Sequence, residues 1–475
     1  MDVRPFWLAG RPATGEDEIT VTNPYDGRVV GAAAVPTPEQ VERAVAAADA
    51  VRRTAAALPV HVRAEALAHV SRRLAERAAE VAELISAENG KPIMWARAEV
   101  SRAVSTFRFG AEEARRLGGE MMRLDPEPAG EGRVALVTRQ PYGPVLGITP
   151  FNFPLNLVAH KVAPAIAVGA PVIIKPAPAT PLSALLLGEL LAETGLPEGM
   201  FSILPLPNER AAALVADPRL PVVSFTGSAP VGFAIAERVP RKHVTLELGG
   251  NAAAVVLADA DLEWAATRIA LYANYQAGQS CIAVQRVLVH QEVYDEFADR
   301  LVAKVKALVT GDPADERTQV GPMISEQAAR RVEQWVREAV EAGGRLLAGG
   351  GRTGAVVEPT VLADVPDDAK VCREEVFGPV LVLRRVASVD EAFAVVNDSA
   401  YGLQAGVFTT SLATAFRAAK ELEVGGVIIG DVPSYRADQM PYGGVKDSGV
   451  GREGLRAAME DYTYPRTTVL TGLTL

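Results

Sequence analysis

Three side chains able to act on a carbonyl group stand in short motifs along the chain. Cys281 ends the string Gly-Gln-Ser-Cys, Glu247 lies in Leu-Glu-Leu-Gly-Gly-Asn, and Asn152 lies in Pro-Phe-Asn-Phe-Pro. A thiol, a carboxylate and a side-chain amide can attack a carbonyl, activate a water and hold an oxyanion. An isolated cysteine is more often a small buried hydrophobe than a nucleophile. The motif favours the nucleophile for Cys281, whereas the second cysteine of the chain, Cys372, fits the inert interpretation.

These motifs, with four more in the same order, resemble the aldehyde dehydrogenase superfamily of NAD(P)-dependent enzymes. The further motifs are Ile174-Lys175-Pro176, Phe225-Thr226-Gly227-Ser228, Glu375-Val376-Phe377-Gly378-Pro379 and Pro441-Tyr442-Gly443-Gly444-Val445-Lys446. Each string alone is weak evidence, but the shared order along essentially the whole chain argues against a chance match. The resemblance implies a non-phosphorylating enzyme that oxidises an aldehyde to a carboxylic acid.

Composition predicts a large globular protein. The chain has 475 residues, of which 49% are hydrophobic and 22% charged, the balance of a protein with a large buried core. This length corresponds to about three domains of ordinary size. The formal net charge is −10 and the basic residues are scattered. Nucleic acid requires clustered lysine and arginine, so we expect no nucleic-acid partner.

No segment of the chain predicts export or insertion into a membrane. The N-terminus lacks the apolar core of a signal peptide, and no apolar run approaches the ~20 residues of a membrane helix. The two cysteines offer no disulfide framework, and the five histidines show no metal-ligand spacing. We therefore expect a cytoplasmic protein without a metal ion or a membrane partner.

The first part of the chain is predicted to form helices. Thr37 and Gln40 form a predicted capping box around Pro38, and an apolar stripe at helical spacing follows. A later helix is predicted to end at Asn89, because Gly90 tolerates positive φ at a helix end.

From Leu136 onward, strand-like and helix-like segments alternate. Val172–Lys175 reads as a short buried strand, and Thr180 with Pro181 is predicted to cap a helix that runs to Gly195. Further predicted strands occur at Val222–Phe225, Arg286–Val289, Val380–Leu383 and Val427–Ile429. Such alternation predicts an α/β protein with parallel sheets covered on both faces.

The family resemblance implies a division into three parts. Residues 1–121 and 141–247 would form a Rossmann-like NAD(P)-binding domain, and residues 248–446 an α/β catalytic domain. Residues 122–140 and 463–475 would form a small β bridging element, since both segments have β character. In relatives such strands extend a sheet across a subunit boundary, which implies a homodimer or homotetramer.

The resemblance also implies roles for the chemical groups. The Cys281 thiolate would add to the aldehyde, and loss of hydride would leave a thioester. Asn152 and the backbone N–H of Cys281 would hold the oxyanion, although an isolated Asn152 would read as a loop cap. Glu247 would activate water to hydrolyse the thioester, and its position in an apolar run disfavours a surface glutamate. Lys161 matches a lysine near the catalytic centre, with a helix-surface lysine as the alternative.

One set of cofactor contacts is implied at strand ends. Lys175 would hold the adenosine ribose. Ser228, with Gly227 and Gly232, would begin a helix whose N-terminus favours the pyrophosphate. The Gly-x-Gly-x-x-Gly pattern is absent from the sequence, so this assignment depends on the family context.

A second set of contacts concerns the nicotinamide half. Glu375 would hydrogen-bond the nicotinamide ribose, and Phe377 would pack beneath it. NAD-preferring relatives often carry a glutamate three residues after the ribose lysine, where it repels a 2′-phosphate. Here that position is Pro178, so NAD and NADP both remain open.

The loop before the Pro-Tyr-Gly-Gly motif resembles that of lactaldehyde dehydrogenases and other enzymes of small polar aldehydes. Arg436 in this loop could bind a carboxylate, phosphate or hydroxyl at the far end of a substrate. The alternative is an ion pair of Arg436 with Asp438 or Asp431 that merely stiffens the loop. Two other functions stay open: a CoA-acylating semialdehyde dehydrogenase, which retention of Glu247 disfavours, and a catalytically silent structural protein.

Overall fold

The computed structural model describes residues 3–472. Three short 3-10 turns and the α-helices connect its strands, and no helix within this range is long and apolar enough to cross a membrane. The helices are α1 (Pro38–Ala57), α2 (Val60–Glu76), α3 (Ala78–Asn89), α4 (Ile93–Arg116), α5 (Asn156–Val168), α6 (Leu182–Ala192), α7 (Ala211–Ala216), α8 (Ala229–Arg238), α9 (Leu262–Asn274), α10 (Tyr294–Lys306), α11 (Glu326–Glu341), α12 (Lys370–Arg373), α13 (Val389–Asn397), α14 (Leu412–Glu421) and α15 (Leu455–Asp461).

The strands form two large sheets, two sheets of three strands and two pairs of strands. They are β1 (Val3–Arg4), β2 (Phe6–Leu8), β3 (Arg11–Ala13), β4 (Asp17–Thr22), β5 (Val29–Val35), β6 (Glu120–Arg123), β7 (Arg133–Pro141), β8 (Val145–Ile148), β9 (Val172–Lys175), β10 (Phe201–Ile203), β11 (Val222–Thr226), β12 (His243–Glu247), β13 (Ala253–Val256), β14 (Arg286–His290), β15 (Arg345–Ala348), β16 (Arg352–Thr353), β17 (Val356–Val357), β18 (Thr360–Ala363), β19 (Val380–Val386), β20 (Tyr401–Gly402), β21 (Gln404–Phe408), β22 (Gly426–Ile429), β23 (Val445–Lys446), β24 (Gly449–Val450) and β25 (Thr463–Thr471).

The first large sheet has the order β24-β12-β11-β8-β9-β10-β2-β3, and its five strands from β12 to β10 are parallel. The chain passes from β8 through β9 to β10, then returns to the other side of β8 with β11 and β12. Such a reversal of strand order opens a crevice beyond the carboxyl ends of the strands that flank it. Here those strands are β8 and β11, and the segment after β8 carries Asn152.

The second large sheet has the order β15-β18-β19-β14-β13-β21-β22, with all neighbours parallel except β15. Its parallel strands read as near-continuous apolar runs because helices cover both faces. These two sheets confirm the predicted α/β class. Cys281 lies in the turn that leads into β14, on the side of this sheet that faces the first one across the cavity described below.

The third sheet pairs β25 with β7 over nine residues, and β7 with β6. The β character predicted for the bridging segments is confirmed, although the first strand begins at Glu120 rather than near residue 122. Residues 473–475 of the predicted element lie outside the described part of the chain. The domain boundaries themselves stay a prediction.

The C-terminal helix α15 returns to the first sheet after the second sheet is complete. Leu455, Met459 and Tyr462 are buried in the same hydrophobic core as β8 and α5. Because α15 packs against this core, Glu453, just before α15, lies at the end of the first sheet. The strand β24 also pairs with β12 there.

Helix ends test the local predictions. Thr37 and Gln40 make the predicted capping box, and Gly90 has the predicted left-handed φ of 74°. The predicted cap at Thr180 is wrong, as is the predicted end at Gly195, because α6 covers Leu182–Ala192 without a side-chain cap from its own neighbour. The buried carboxylate of Glu88 instead accepts from the first backbone N–H groups of α6, which replaces a local cap by a distant one.

Candidate active site

The ends of the two large sheets enclose a cavity of about 620 Å³. Residues from the segments after β8, β11 and β12 line one side, and the turn before β14 lines the other. Because the carboxyl ends of parallel strands share one edge of a sheet, motifs far apart in sequence meet there. The cavity brings together Asn152, Glu247 and Cys281.

Cys281 follows a tight turn that holds it against the segment of Asn152. Gln276, Ala277 and Gly278 all have φ in the left-handed region, between 52° and 68°. Non-glycine residues adopt this region at a cost, and functional sites commonly contain such strain. The side-chain amide of Gln276 donates to the backbone carbonyl of Asn152 and ties the turn to the opposite sheet.

The side-chain amide of Asn152 donates to the backbone carbonyl of Gln279 at 3.0 Å, two residues before Cys281. The backbone N–H of Cys281 has no protein acceptor within residues 3–472. The Asn152 amide therefore contacts the turn that carries Cys281, and the backbone N–H of Cys281 is free of acceptors among the described residues. Burial raises the pKa of the Cys281 thiol to about 12, and the hydroxyl of Tyr442, 3.1 Å from Sγ, opposes that rise.

Glu247 ends β12 and is buried, and neither of its carboxylate oxygens has a hydrogen-bond partner in the described part of the chain. Burial raises the pKa of Glu247 well above its ordinary value, and the negative charge of Glu453 raises it further. A carboxyl group in this setting holds its proton at a higher pH and can act as a base near neutrality.

Lys161, on α5, is fully buried, so the alternative of a helix-surface lysine is wrong. Its Nζ atom donates to the hydroxyls of Ser224 and Thr226 at 2.9 and 2.8 Å. It also contacts the Glu453 carboxylate at 3.2 Å. The lysine thus lies beneath the cavity, between the first sheet and the returning C-terminal segment.

Arg436 makes neither of the two ion pairs considered for a stiffened loop. Its guanidinium contacts Glu453 at 3.0 Å and lies 3.8 Å above the ring of Tyr442. Asp431 pairs with Arg268 instead. Arg436 is therefore a buried residue of the cavity wall and not a surface arginine.

Asp438 is held by a second group of polar residues, of which Arg102 and Asn156 line the cavity. One of its carboxylate oxygens accepts from Arg102 at 2.8 Å, from His160 at 3.0 Å and from Asn156 at 3.3 Å. Burial opposes its charge, but the hydrogen bond from His160 and the charge of Arg102 hold the pKa of Asp438 well below its usual range.

Glu375 and Phe377 lie at the other end of the cavity. The Glu375 carboxylate accepts from the backbone N–H of Gly250 at 2.9 Å, and burial raises its pKa to about 7. A side chain at position 249 would meet this carboxylate at 2.4 Å, so Gly249 is required by close approach and has no positive φ. Phe377 packs edge-on against Phe151.

The other predicted cofactor residues lie along the ends of the parallel strands. Ser228 is the residue before α8, and Gly227 and Ser228 line the cavity. Gly232 lets α8 approach Leu248, since a side chain there would meet it at 2.4 Å. Lys175 ends β9 and donates to Asn208, and burial lowers its pKa to about 8.

This set of residues fits a dinucleotide. A helix N-terminus and a lysine at parallel strand ends suit phosphate and ribose. The half-buried carboxylate of Glu375, with one oxygen free of donors among the described residues, suits a ribose hydroxyl. Half-buried Pro178 supplies no charge beside Lys175.

Three residues of the cavity wall were not predicted from the sequence: Tyr442, Glu453 and Arg102. His160, which binds Asp438, was not predicted either. Tyr442 lies in the Pro-Tyr-Gly-Gly motif, and its place in that motif is a usable signal. Arg102 is far from every motif and lies on α4, where it reads as an ordinary helix-surface arginine.

The fold and the site define an α/β enzyme with a cysteine at a dinucleotide-type crevice. The aldehyde dehydrogenase family model matches residues 11–468. The chain therefore belongs to the aldehyde dehydrogenase family, which confirms the enzyme class predicted from its motifs.

The chain is similar to characterised members of the family along its whole length. It is 44% identical to a 3-sulfolactaldehyde dehydrogenase of Priestia aryabhattai, over 98% of this chain and 97% of the relative. Its structure matches aldehyde dehydrogenase 21 of Physcomitrella patens, solved in complex with the reaction product succinate, with a TM-score of 0.97 and 45% identity. That match covers 99% of this chain and 98% of the other. The NADP-dependent glyceraldehyde-3-phosphate dehydrogenase of Bacillus halodurans C-125, complexed with NADP, matches with a TM-score of 0.95 and 36% identity, over 99% and 100% of the two chains.

Proposed function

We propose that the protein oxidises a short aldehyde with an acidic or hydroxyl group at its far end to the carboxylic acid. The acceptor is NAD or NADP, and water releases the product. The observation behind this proposal is one cavity lined by the thiol of Cys281, the carboxyl group of Glu247 and the guanidinium of Arg436. That carboxyl group has no hydrogen-bond partner among the described residues.

Cys281 is the nucleophile in this mechanism. Its thiolate attacks the aldehyde carbon, and the developing oxyanion accepts from the backbone N–H of Cys281 and the side-chain amide of Asn152. The amide exchanges its present bond to the Gln279 carbonyl for the oxyanion. One such donor contributes on the order of 3 kcal/mol to transition-state stabilisation. The bound nicotinamide ring supplies the hydride acceptor.

Glu247 is the general base for release of the product. No described residue donates a hydrogen bond to its oxygens, so they are free to accept a proton from water. The hydroxide formed attacks the thioester carbon, the C–S bond breaks, and the electron pair returns to Cys281. Because a buried base of this kind can activate water, Glu247 supports hydrolysis of the thioester over transfer of the acyl group to CoA. Lys161 and Glu453 lie directly behind this site and support the charge balance there.

The far end of the substrate faces arginines. Arg102, Arg268 and Arg436 line the cavity, and each has an Nη1 group without a protein partner within residues 3–472. A guanidinium offers paired donors to a carboxylate or sulfonate. The 3-sulfolactaldehyde substrate class of one relative and the succinate bound by another support an anionic substrate.

Cofactor choice follows from the charge near Lys175. Position 178 is a proline, so no carboxylate at this position repels the 2′-phosphate of NADP. The NADP bound by the Bacillus halodurans enzyme supports use of NADP, and nothing at this position disfavours NAD.

We propose further that the chain forms a homodimer or homotetramer in the cytoplasm through its third sheet. The strands β6 and β25 expose Met121, Met122, Val469 and Leu470 to solvent. Unpaired sheet edges with apolar side chains commonly bind a second chain.

An aldehyde panel tests the proposed function. Succinic semialdehyde, lactaldehyde, propanal and benzaldehyde are each assayed with NAD and with NADP, by the absorbance of the reduced cofactor. The proposal expects kcat/KM for the acid- or hydroxyl-substituted aldehydes to exceed that for propanal and benzaldehyde by about tenfold or more. A preference for benzaldehyde, or reduced cofactor formed only when CoA is present, would overturn it.

A further inference from the structure

The hydroxyl of Tyr442 lies 3.1 Å from the Sγ atom of Cys281. Tyr442 is 3% exposed, and its ring belongs to a small apolar cluster with Ile282 and Leu403. The Tyr442 side of the contact is therefore enclosed by protein, whereas Cys281 is partly exposed to the cavity.

The direction of this hydrogen bond follows from the surroundings of the hydroxyl. The sulfur is the one hydrogen-bond partner of the Tyr442 hydroxyl among the described residues. A buried O–H group without an acceptor is costly, so the hydroxyl donates and the sulfur accepts. A donor stabilises a thiolate more than a thiol, because hydrogen bonds to ionised groups are the stronger ones.

Arg436 acts on the same tyrosine from the face of its ring, 3.8 Å from the ring centroid. A cation there favours electron-poor character in the phenol, which makes its hydroxyl a better donor. Burial raises the pKa of the Cys281 thiol. The Tyr442 hydroxyl and the Arg436 charge oppose the rise, and the charges of Glu375 and Glu247 add to it.

The ring of Tyr442 is fixed by a closed set of contacts. Its backbone N–H donates to the carbonyl of Glu453 at 2.9 Å, and the carboxylate of Glu453 binds the guanidinium that covers the ring. Tyr442 and Glu453 also form an antiparallel bridge. Hydroxyl, ring and cation are therefore held together in one orientation toward the sulfur.

We propose that Tyr442 is a catalytic residue whose hydroxyl stabilises the thiolate of Cys281, both before attack on the aldehyde and when the thioester C–S bond breaks. The hydroxyl donates a hydrogen bond and keeps its proton throughout. This inference rests on the proposed function, because it takes Cys281 as the nucleophile.

The test is the rate of Cys281 alkylation by iodoacetamide in the Tyr442→Phe variant. Alkylation needs neither aldehyde nor cofactor, and the peptide of Cys281 is followed by mass spectrometry with Cys372 as the internal reference. We expect the pKa of the thiol to rise by about one unit. The smaller thiolate fraction is partly offset by higher nucleophilicity, so alkylation at a fixed pH slows by about threefold. The rate at Cys372 stays unchanged.

A matched control is Tyr294→Phe in the core under the second sheet. It removes a buried hydroxyl that has no partner in the part of the chain that the structure describes. It should leave the alkylation of Cys281 unchanged. A second variant carries 3-fluorotyrosine at position 442, which keeps the ring and makes the hydroxyl a stronger donor. Its expected result is faster alkylation.

Equal alkylation rates in wild type, Tyr442→Phe and the fluorotyrosine protein would overturn the inference and leave the proposed function standing. Dehydrogenase activity in Cys281→Ala would instead overturn the proposed function.

Discussion

Glu247 and Glu453 are buried carboxyl groups of one cavity with opposite surroundings. Glu453 contacts Lys161 at 3.2 Å and Arg436 at 3.0 Å, whereas neither oxygen of Glu247 has a hydrogen-bond partner within residues 3–472. Burial opposes both charges, but the two cations hold the pKa of Glu453 below its usual value, while the pKa of Glu247 is raised. Glu453 therefore carries the negative charge near neutral pH, and Glu247 is set to exchange a proton.

The first prediction concerns the pH dependence of turnover. Glu247 must be deprotonated to act as a base, so kcat rises as pH rises through its elevated pKa. The Glu453→Gln variant removes a negative charge and leaves the cations in place, which lowers the pKa of Glu247. The acidic limb of the kcat–pH profile should then move to lower pH by about one unit. A limb that stays in place or moves to higher pH contradicts the electrostatic account, and Glu296→Gln on α10 is the surface control.

The second prediction separates the two cysteines. Cys281→Ala should lose turnover by roughly a thousandfold or more while cofactor binding, measured by fluorescence quenching, is retained. Cys372 lies on the short helix α12 and does not line the cavity. Cys372→Ala should therefore stay within about twofold of wild type. Substantial turnover in Cys281→Ala would remove the nucleophile from the mechanism.

The third prediction concerns Arg436 and the substrate. Arg436→Ala removes a donor for the far end of an acidic aldehyde, and it also uncovers Glu453 and Tyr442. We expect a loss of kcat for every aldehyde and, in addition, a KM for succinic semialdehyde that rises about tenfold or more relative to propanal. If activity toward both substrates falls by the same factor, Arg436 acts only through its contacts with Tyr442 and Glu453 and does not bind the substrate.

The fourth prediction concerns a buried ion pair beside the oxyanion site. Lys91 and Glu99 are fully buried partners, and Glu99 also accepts from the backbone N–H groups of Leu155 and Asn156. Lys91→Met leaves the carboxylate without its counter-ion and should lower the free energy of unfolding by about 3 kcal/mol or more. Urea denaturation measures this loss.

The double variant Lys91→Met with Glu99→Gln supplies the control, because a glutamine oxygen still accepts from both N–H groups. It should be more stable than Lys91→Met alone. A double variant that is less stable by the sum of the single losses would exclude the proposed coupling.

The sequence was sufficient for the parts of this protein that depend on local pattern. The alternating apolar strands predicted both parallel sheets, and the motifs of Cys281, Glu247 and Asn152 predicted residues that share one cavity. Their meeting follows from topology, since each motif lies at the carboxyl end of a parallel strand or in the turn facing it.

Hydrogen-bond and ion-pair partners that are distant in the chain could not be predicted from the sequence. No sequence pattern near Thr180 predicts that Glu88, on another helix, caps α6. The pairing of Arg436 with Glu453 depends on the return of α15 to the first core, and nearer acidic residues in the loop were the more obvious partners. The φ of Gly249 lies outside the left-handed region, so no turn requires a glycine there, and only the close approach of Glu375 explains it.

The central claim is a thioester on Cys281 that Glu247 helps to hydrolyse. In Glu247→Gln, hydride transfer should continue while hydrolysis is impaired, so mixing with succinic semialdehyde and cofactor should give a burst of reduced cofactor close to one per active site. Intact-protein and peptide mass spectrometry of the quenched enzyme should then find the acyl group on Cys281 and none on Cys372. Steady turnover at the wild-type rate without a burst, or an acyl group on any residue other than Cys281, would contradict the account.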